Sequence, residues 1–318
     1  MTKRTWSNIA VVGAGALGSH FGGVLARAGH QVTLIGRESH VEAINRHGLR
    51  LHGHDGEERV SLSAAVDVSA VRGASLVLFC VKSFDTETAA AAMAPHVASD
   101  AVILSFQNGV DNPERIARHV RNQVIPVLVY VGANIPAPGT VRHTGGGNIV
   151  IGQLKAFRES APDGELLAGI AALFGEVGLK VAISEDIEAE LWIKLLMNST
   201  YNAISALGRS AYGRMVAMPE VNVIMREAAA EVVAVAKAKG IGLPDDIIET
   251  AMKLAEAMPQ TMSSTAQDIA KGRSTEIAYL NGTVAQQGDA LGVATPVNRT
   301  LNALIQLLEQ AGPAESGR

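Results

Sequence analysis

Near its amino terminus the chain reads Asn8-Ile-Ala-Val-Val12 and then Gly13-Ala-Gly15-Ala-Leu-Gly18, an apolar strand-like run that meets a G-x-G-x-x-G turn and passes into helical sequence to about Arg27. The spacing gives each glycine a separate task. Gly13 permits a tight turn, Gly15 lets a pyrophosphate approach backbone N–H groups, and Gly18 allows the helix to pack closely on the sheet. Gly13, Gly15, Ala16, Leu17 and Gly18 therefore form the expected cofactor-binding turn, at the positive end of a helix. The alternative is a glycine-rich strand-to-helix turn that holds no ligand.

Behind this turn, β-rich runs alternate with helical ones at residues 31–35, 75–81, 101–106 and 123–131. Such alternation predicts a parallel sheet covered by helices. Shorter β-like runs at 140–142, 148–151 and 180–183 extend it, with Gly145-Gly-Gly147 read as a turn between two of them. From Glu185 strand signals fade. A long helix is expected from about Glu188 to Gly208, another over 219–239, a third opened by Leu243-Pro244 and a last one by Thr295-Pro296. The expected architecture is α/β: a doubly wound, Rossmann-type N-terminal domain over residues 1–184, followed by an all-α C-terminal domain over 185–318. The tail 312–318 reads as poorly ordered.

Composition removes several function classes. With 27 Lys plus Arg against 31 Asp plus Glu, the net charge is −4, which gives no general electrostatic footprint for nucleic acid. No run approaches the roughly 20 apolar residues that span a bilayer. Lys3 and Arg4 precede an apolar segment too short for a signal peptide, so no membrane association and a cytoplasmic location are expected. Cys80 is the single cysteine, expected to be buried and unreactive, and it excludes an internal disulfide.

After the second strand, where NAD enzymes place an acidic residue for the ribose, the chain has Gly36-Arg37-Glu38. Arg37 favours a 2′-phosphate, hence NADP (NADPH); the competing readings leave Arg37 in solvent or give the ribose to Glu38. Lys82 follows a strand at the carboxyl edge where sheet ligands bind, or is a solvated loop lysine.

A hydride arriving at a carbonyl leaves charge on oxygen, so a reductase needs a proton donor. All nine histidines lie at or before His143 and no Tyr-x-x-x-Lys occurs, which makes lysine the leading donor. Lys194, Asn198 and Asn202 recur at i, i+4 and i+8, drifting only about 40° around a helix. Apolar neighbours at Leu191, Leu195 and Met197 would lower the pKa of such a lysine; an exposed polar stripe is the alternative. In the stretch from Ser263 and Ser264 through Asp268 and Gly272 to Thr275 and Glu276, one straight helix would hold Ser264 and Glu276 about 18 Å apart. A break at Gly272 with a cap at Ser274 or Thr275 could return Glu276 toward Ser264; simple capping and solvation is the other reading.

These residues together resemble the 2-dehydropantoate 2-reductase, or ketopantoate reductase, family over nearly the whole chain. The likeness is carried by Gly13-Ala-Gly-Ala-Leu-Gly18, Val81-Lys82, Gln107-Asn108-Gly109, Pro138-Gly-Thr-Val-Arg-His143, Leu191-Trp-Ile-Lys194 with Asn198 and Asn202, and the Ser263 to Glu276 segment. The resemblance implies NADPH-dependent reduction of 2-dehydropantoate to (R)-pantoate, on the route to pantothenate and coenzyme A. It implies Lys194 as general acid, Glu276 at the substrate hydroxyl and Ser264 at its carboxylate. Asn198 and Asn202 would orient the substrate, Asn108 would bridge substrate and cofactor, and Lys82 and Arg37 would contact the cofactor. Substrate and nicotinamide would meet in a cleft between domains, a homodimer is the candidate assembly, and no metal is implied.

Where family members acting on pantoate can present a further asparagine, this chain has Gly208-Arg-Ser-Ala-Tyr-Gly213. A different small 2-oxo acid is therefore an alternative substrate. A β-hydroxyacid dehydrogenase also joins a nucleotide-binding half to a helical half and uses Lys-x-x-x-Asn, and a non-catalytic NADP sensor would need no proton donor. The cluster His52, His54, Asp55 and Glu57 could hold a metal, but a glycine-rich polar loop is the favoured reading.

Overall fold

The computed structural model describes residues 6–53, 56–155 and 164–311. It divides the chain into two compact units, Met1–Gln107 with Asp111–Ile187, and Asn108–Val110 with Glu188–Arg318. The first unit holds strands β1 (Asn8–Val12), β2 (Gln31–Ile35), β3 (Leu49–Gly53), β4 (Gly56–Val60), β5 (Ser63–Ala65), β6 (Leu76–Phe79), β7 (Val102–Ser105), β8 (Val124–Ala137), β9 (Thr140–Gly152) and β10 (Lys180–Ser184). Helices α1 (Ala16–Arg27), α2 (Glu38–His47), α3 (Thr86–Met93), α4 (Asn112–Ala117) and α5 (Gly164–Glu176) lie between them in sequence.

Six strands pair in parallel in the order β5-β2-β1-β6-β7-β8. The chain leaves β1 in one direction to β2 and β5, then returns to β6 on the other flank of β1. That reversal makes the carboxyl ends of β1 and β6 a topological switch point, where open α/β sheets bind ligands. Alternate residues explain the two covered faces. Ile9 and Val11 pack with Phe21 and Leu25 of α1, whereas Ala10 and Val12 pack with Ala90, Met93 and Ile116 beneath α3 and α4.

The second unit is helical: α6 (Ile187–Leu207), α7 (Tyr212–Ala217), α8 (Pro219–Ala238), α9 (Ile247–Ala257), α10 (Ser264–Ala270), α11 (Asn281–Leu291) and α12 (Pro296–Gln310). Ala203 and Ala206 of α6 pack with Ala228, Ala266, Ile277, Leu301 and Ile305. Small residues on α6 allow this close helix approach. No helix among the described residues is long and apolar enough to cross a membrane.

Four local expectations need correction. Gly145-Gly-Gly147 does not end a strand: β9 runs through it against β8, with register shifts that mark bulges. Gly146, at φ +79°, touches the Tyr130 carbonyl so closely that a Cβ would lie 2.0 Å from it, so glycine preserves pairing there rather than breaking it. β3 and β4 pair antiparallel where a polar loop is expected around His52 and Glu57, with His52 opposite Glu57; His54 and Asp55 lie outside the described residues, as does the 312–318 tail. Among the described residues no three metal-ligating side chains cluster. Helix α9 starts at Ile247 rather than at Pro244, whose carbonyl instead accepts from the Ile247 N–H in a preceding turn. Cys80 is partly exposed, although its surroundings push the thiol pKa up by desolvation.

Two buried histidines tie the first unit together. The Gly139 N–H donates to His40 Nδ1 at 2.9 Å, which leaves Nε2 to donate to Ser19 Oγ at 3.0 Å. His20 stacks on His143 with 4.8 Å between ring centroids. Burial first, then the His143 and Arg27 charges, push the His20 pKa down to about 4 from 6.5, and burial also lowers that of His40. Stability is therefore full above pH 6.5 and falls as the pH drops toward 4, by up to about 3 kcal/mol from His20. His20→Phe should flatten this loss in urea titrations run at neutral and at mildly acidic pH. Equal losses in both proteins would remove His20 as its cause.

Candidate active site

At the carboxyl end of β1 the chain turns through Gly13, whose φ is +103° and where a Cβ would lie 2.6 Å from the Val81 nitrogen. A Cβ on Gly18 would lie 2.2 Å from the Gly13 carbonyl. Packing alone thus requires both glycines. Gly15 differs: it is exposed, its backbone is extended (φ −79°, ψ −164°), and a Cβ there would meet nothing within 4 Å. The space above Gly15 lies over the amino end of α1, whose first turn has no acidic residue. It fits a pyrophosphate received by the free N–H groups of the helix.

The same turn is fastened to the end of β2, because the Gly13 and Ala14 N–H groups both donate to the Ile35 carbonyl at 2.9 Å. Gly36 then presses on Ala14, and Arg37 follows, exposed, at the start of α2. Arg37 consequently emerges next to the dinucleotide turn. Lys82 is also exposed and heads the short turn Ser83–Asp85 after β6. Both cations stand at carboxyl ends of parallel strands.

In the helical unit, Lys194, Asn198 and Asn202 lie along α6 and none of the three is exposed; Asn202 is buried. The exposed-stripe reading is thereby set aside. Burial pushes the Lys194 pKa down to about 8, and the nearby Glu276 carboxylate pulls in the opposite direction. Glu276, only 8% exposed, accepts from Asn108 Nδ2 at 3.4 Å. An ammonium, a buried carboxylate and a carboxamide thus converge.

The segment that carries Glu276 breaks at Gly272, where φ is +60°. Helix α10 ends at Ala270, and Thr275 Oγ1 accepts from the Ile277 N–H as a new helical turn, Ile277–Tyr279, begins. Ser264 occupies the exposed first position of α10. Its neighbour Ser263 is the buried member of the pair: Oγ accepts from the Ala266 N–H at 3.0 Å and donates to the Asn202 carbonyl at 3.1 Å. Ser205, which the sequence did not single out, accepts from the Ser263 N–H and donates to the Ser210 carbonyl. These bonds fix the amino end of α10 on the α6 segment that carries Asn202. Arg209, at φ +45°, forms the tight turn that brings the Ser210 carbonyl back to Ser205.

Comparison with known proteins places this geometry in a family. Residues 9–156 match the model described as ketopantoate reductase PanE/ApbA, and residues 186–309 match ketopantoate reductase PanE/ApbA C terminal. The chain is 36% identical over 307 residues to a 2-dehydropantoate 2-reductase of Halobacterium salinarum, with 96% of this chain and 99% of the relative covered. A PanE/ApbA family ketopantoate reductase structure from Ralstonia eutropha JMP134 superposes with a TM-score of 0.89 at 45% identity, covering 96% of this chain and 99% of that one. A ternary D-mandelate dehydrogenase structure with NADH and anilino(oxo)acetate gives 0.87 at 26% identity, again over 96% and 99%. Two family models together span both units, and this chain belongs to the ketopantoate reductase PanE/ApbA family.

Proposed function

We propose that this chain uses NADPH to reduce 2-dehydropantoate to (R)-pantoate. The observation that carries the reading is the meeting of Lys194, Glu276 and Asn108 in a chain of this family. Bound reduced nicotinamide would supply the hydride. Gly13, Gly15, Ala16, Leu17 and Gly18 would hold its pyrophosphate, and Lys82 and Arg37 its phosphate groups. The Lys194 ammonium donates a proton to the carbonyl oxygen as negative charge grows there, a task suited to a pKa near the working pH. Glu276 holds the ammonium in place and accepts from a substrate hydroxyl. Asn198 and Asn202 orient the acid, Ser264 meets its carboxylate from the exposed start of α10, and Asn108 faces both partners.

The test is the loss of NADPH absorbance with 2-dehydropantoate, beside phenylglyoxylate and other small 2-oxo acids. Turnover of 2-dehydropantoate well above the rest supports the reading, and its absence overturns it. Preference for phenylglyoxylate would favour a second reading, an aryl 2-oxo acid, which the likeness to D-mandelate dehydrogenase supports. Arg37→Ala should erase most of the preference for NADPH over NADH, about ten-fold or more, because one charge-assisted phosphate contact is lost. An unchanged ratio in coupled NADPH and NADH assays would leave Arg37 without that contact.

A further inference from the structure

Lys82 and Asn108 sit in different loops, one after β6 and one after β7, and a set of side chains links those loops through buried bonds. Gln107 Nε2 donates to Thr86 Oγ1 at 2.7 Å, and Thr86 Oγ1 donates to Asn112 Oδ1 at 2.8 Å. Ser105 Oγ donates to Gln107 Oε1, and Asn112 Nδ2 to Ser83 Oγ at 3.1 Å. Arg115 closes the cluster. Its Nη1 donates to Asn112 Oδ1, its Nη2 to the Ser83 carbonyl at 2.8 Å, and its Nε to Glu87 at 2.8 Å. Ser83 and Thr86 are fully buried, and Ser105, Gln107, Asn112 and Arg115 are nearly so.

Such a network is costly to leave incomplete, because each buried polar group must find a partner. An apolar cluster would fill the same volume without dictating loop register. Here Ser83 directly follows Lys82, and Gln107 directly precedes Asn108, whose own amide reaches Glu276. Gly109, at φ +98°, then turns the chain toward Asn112, so the short segment 108–110 is held from both ends. Thr86, directly after the turn that Lys82 heads, joins the two loops: its hydroxyl accepts from Gln107 and donates to Asn112, the residues on either side of the loop that carries Asn108.

We propose that Thr86 is a positioning residue, whose hydroxyl sets the loops that carry Lys82 and Asn108 in register for cofactor binding and hydride transfer. The proposal rests on the reading that those two residues meet cofactor and substrate. Displacement of a reacting partner by about 1 Å can cost about a hundred-fold in rate, so a lost register has a kinetic signature beyond any loss of stability.

Thr86→Val keeps the shape and removes the hydroxyl, and Thr86→Ser keeps the hydroxyl. Each is measured well below its melting temperature, for NADPH affinity and for single-turnover hydride transfer to 2-dehydropantoate at saturating NADPH. Thr86→Val is expected to weaken NADPH binding and to slow transfer, each by about ten-fold or more, with Thr86→Ser within about two-fold of wild type. Wild-type affinity and transfer in folded Thr86→Val, or equal defects in both variants, would overturn the proposal. If Thr86→Val does not fold, Ser83→Ala carries the test through NADPH affinity, which should fall several-fold and whose constancy would overturn it. Lys82→Ala and Asn108→Ala separate the two levels. If neither changes binding or transfer, the site reading fails and the proposal with it; if they act while Thr86→Val does not, the proposal alone fails.

Discussion

Lys194→Ala should lower kcat for 2-dehydropantoate reduction by about a thousand-fold while leaving NADPH affinity near that of the wild type. A positioned general acid contributes about a hundred- to ten-thousand-fold, and the variant has no other ammonium in its place on α6. The fold should tolerate the change, since it removes a desolvated charge, although it leaves the buried Glu276 without that counter-charge. The same lysine fixes the pH dependence. Reduction consumes the protonated form, so kcat/KM should be level below about pH 8 and fall above it as the ammonium is lost. Oxidation of pantoate, which needs the neutral amine, should rise through the same range. A Lys194→Ala enzyme with wild-type kcat, or a wild-type profile with no limb near 8, would remove the lysine from proton transfer.

Gly15→Val should abolish NADPH binding in practice, by about a hundred-fold or more, without unfolding the protein. The backbone at Gly15 is open to any residue and a Cβ there meets nothing, so the melting temperature should stay within about 2 °C of wild type. The added side chain instead occupies the approach to the α1 amino end. Gly13→Val offers the contrast, because its positive φ and 2.6 Å clash with the Val81 nitrogen predict a loss of stability as well. Calorimetric titration with NADPH, beside thermal melts, separates the two. Full NADPH affinity in Gly15→Val would mean that the dinucleotide does not cross this turn.

How far the sequence spoke depended on whether the deciding contacts were local. β1 and β2 are readable to the residue because each is a short apolar run bounded by turn residues, and α6 is readable because its apolar period is sustained. The antiparallel pair β3 and β4 is not, since His52, Glu57 and Glu58 face partly outward and give a polar stretch that mimics a loop. Gly146 misleads for a related reason: glycine marks a turn or a bulge equally well, and only the Tyr130 carbonyl across the sheet decides.

At the site, helical spacing puts Lys194, Asn198 and Asn202 on one face, but spacing cannot bring Glu276 to Lys194 from another segment. The break at Gly272 is a local signal and was legible; the partner found after it was not. Ser263 and Ser264 are adjacent in sequence, and only tertiary packing makes the first a buried cap and leaves the second exposed. Apart from Gln107, which stands in the Gln107-Asn108-Gly109 motif, the Thr86 cluster carries no sequence signature. Its members are ordinary polar residues, and Gln107 and Asn112 lie 21 and 26 positions from Thr86.

The most direct test of the proposed reaction follows the hydride itself. Wild-type protein is supplied with 2-dehydropantoate and NADPH deuterated at nicotinamide C4 on the transferred face, and the product is read by mass spectrometry and NMR. The expected result is (R)-pantoate carrying a single deuterium at C2, formed in step with NADP⁺. Unlabelled pantoate, or no pantoate while NADPH remains bound, would contradict hydride transfer to that carbonyl by this protein.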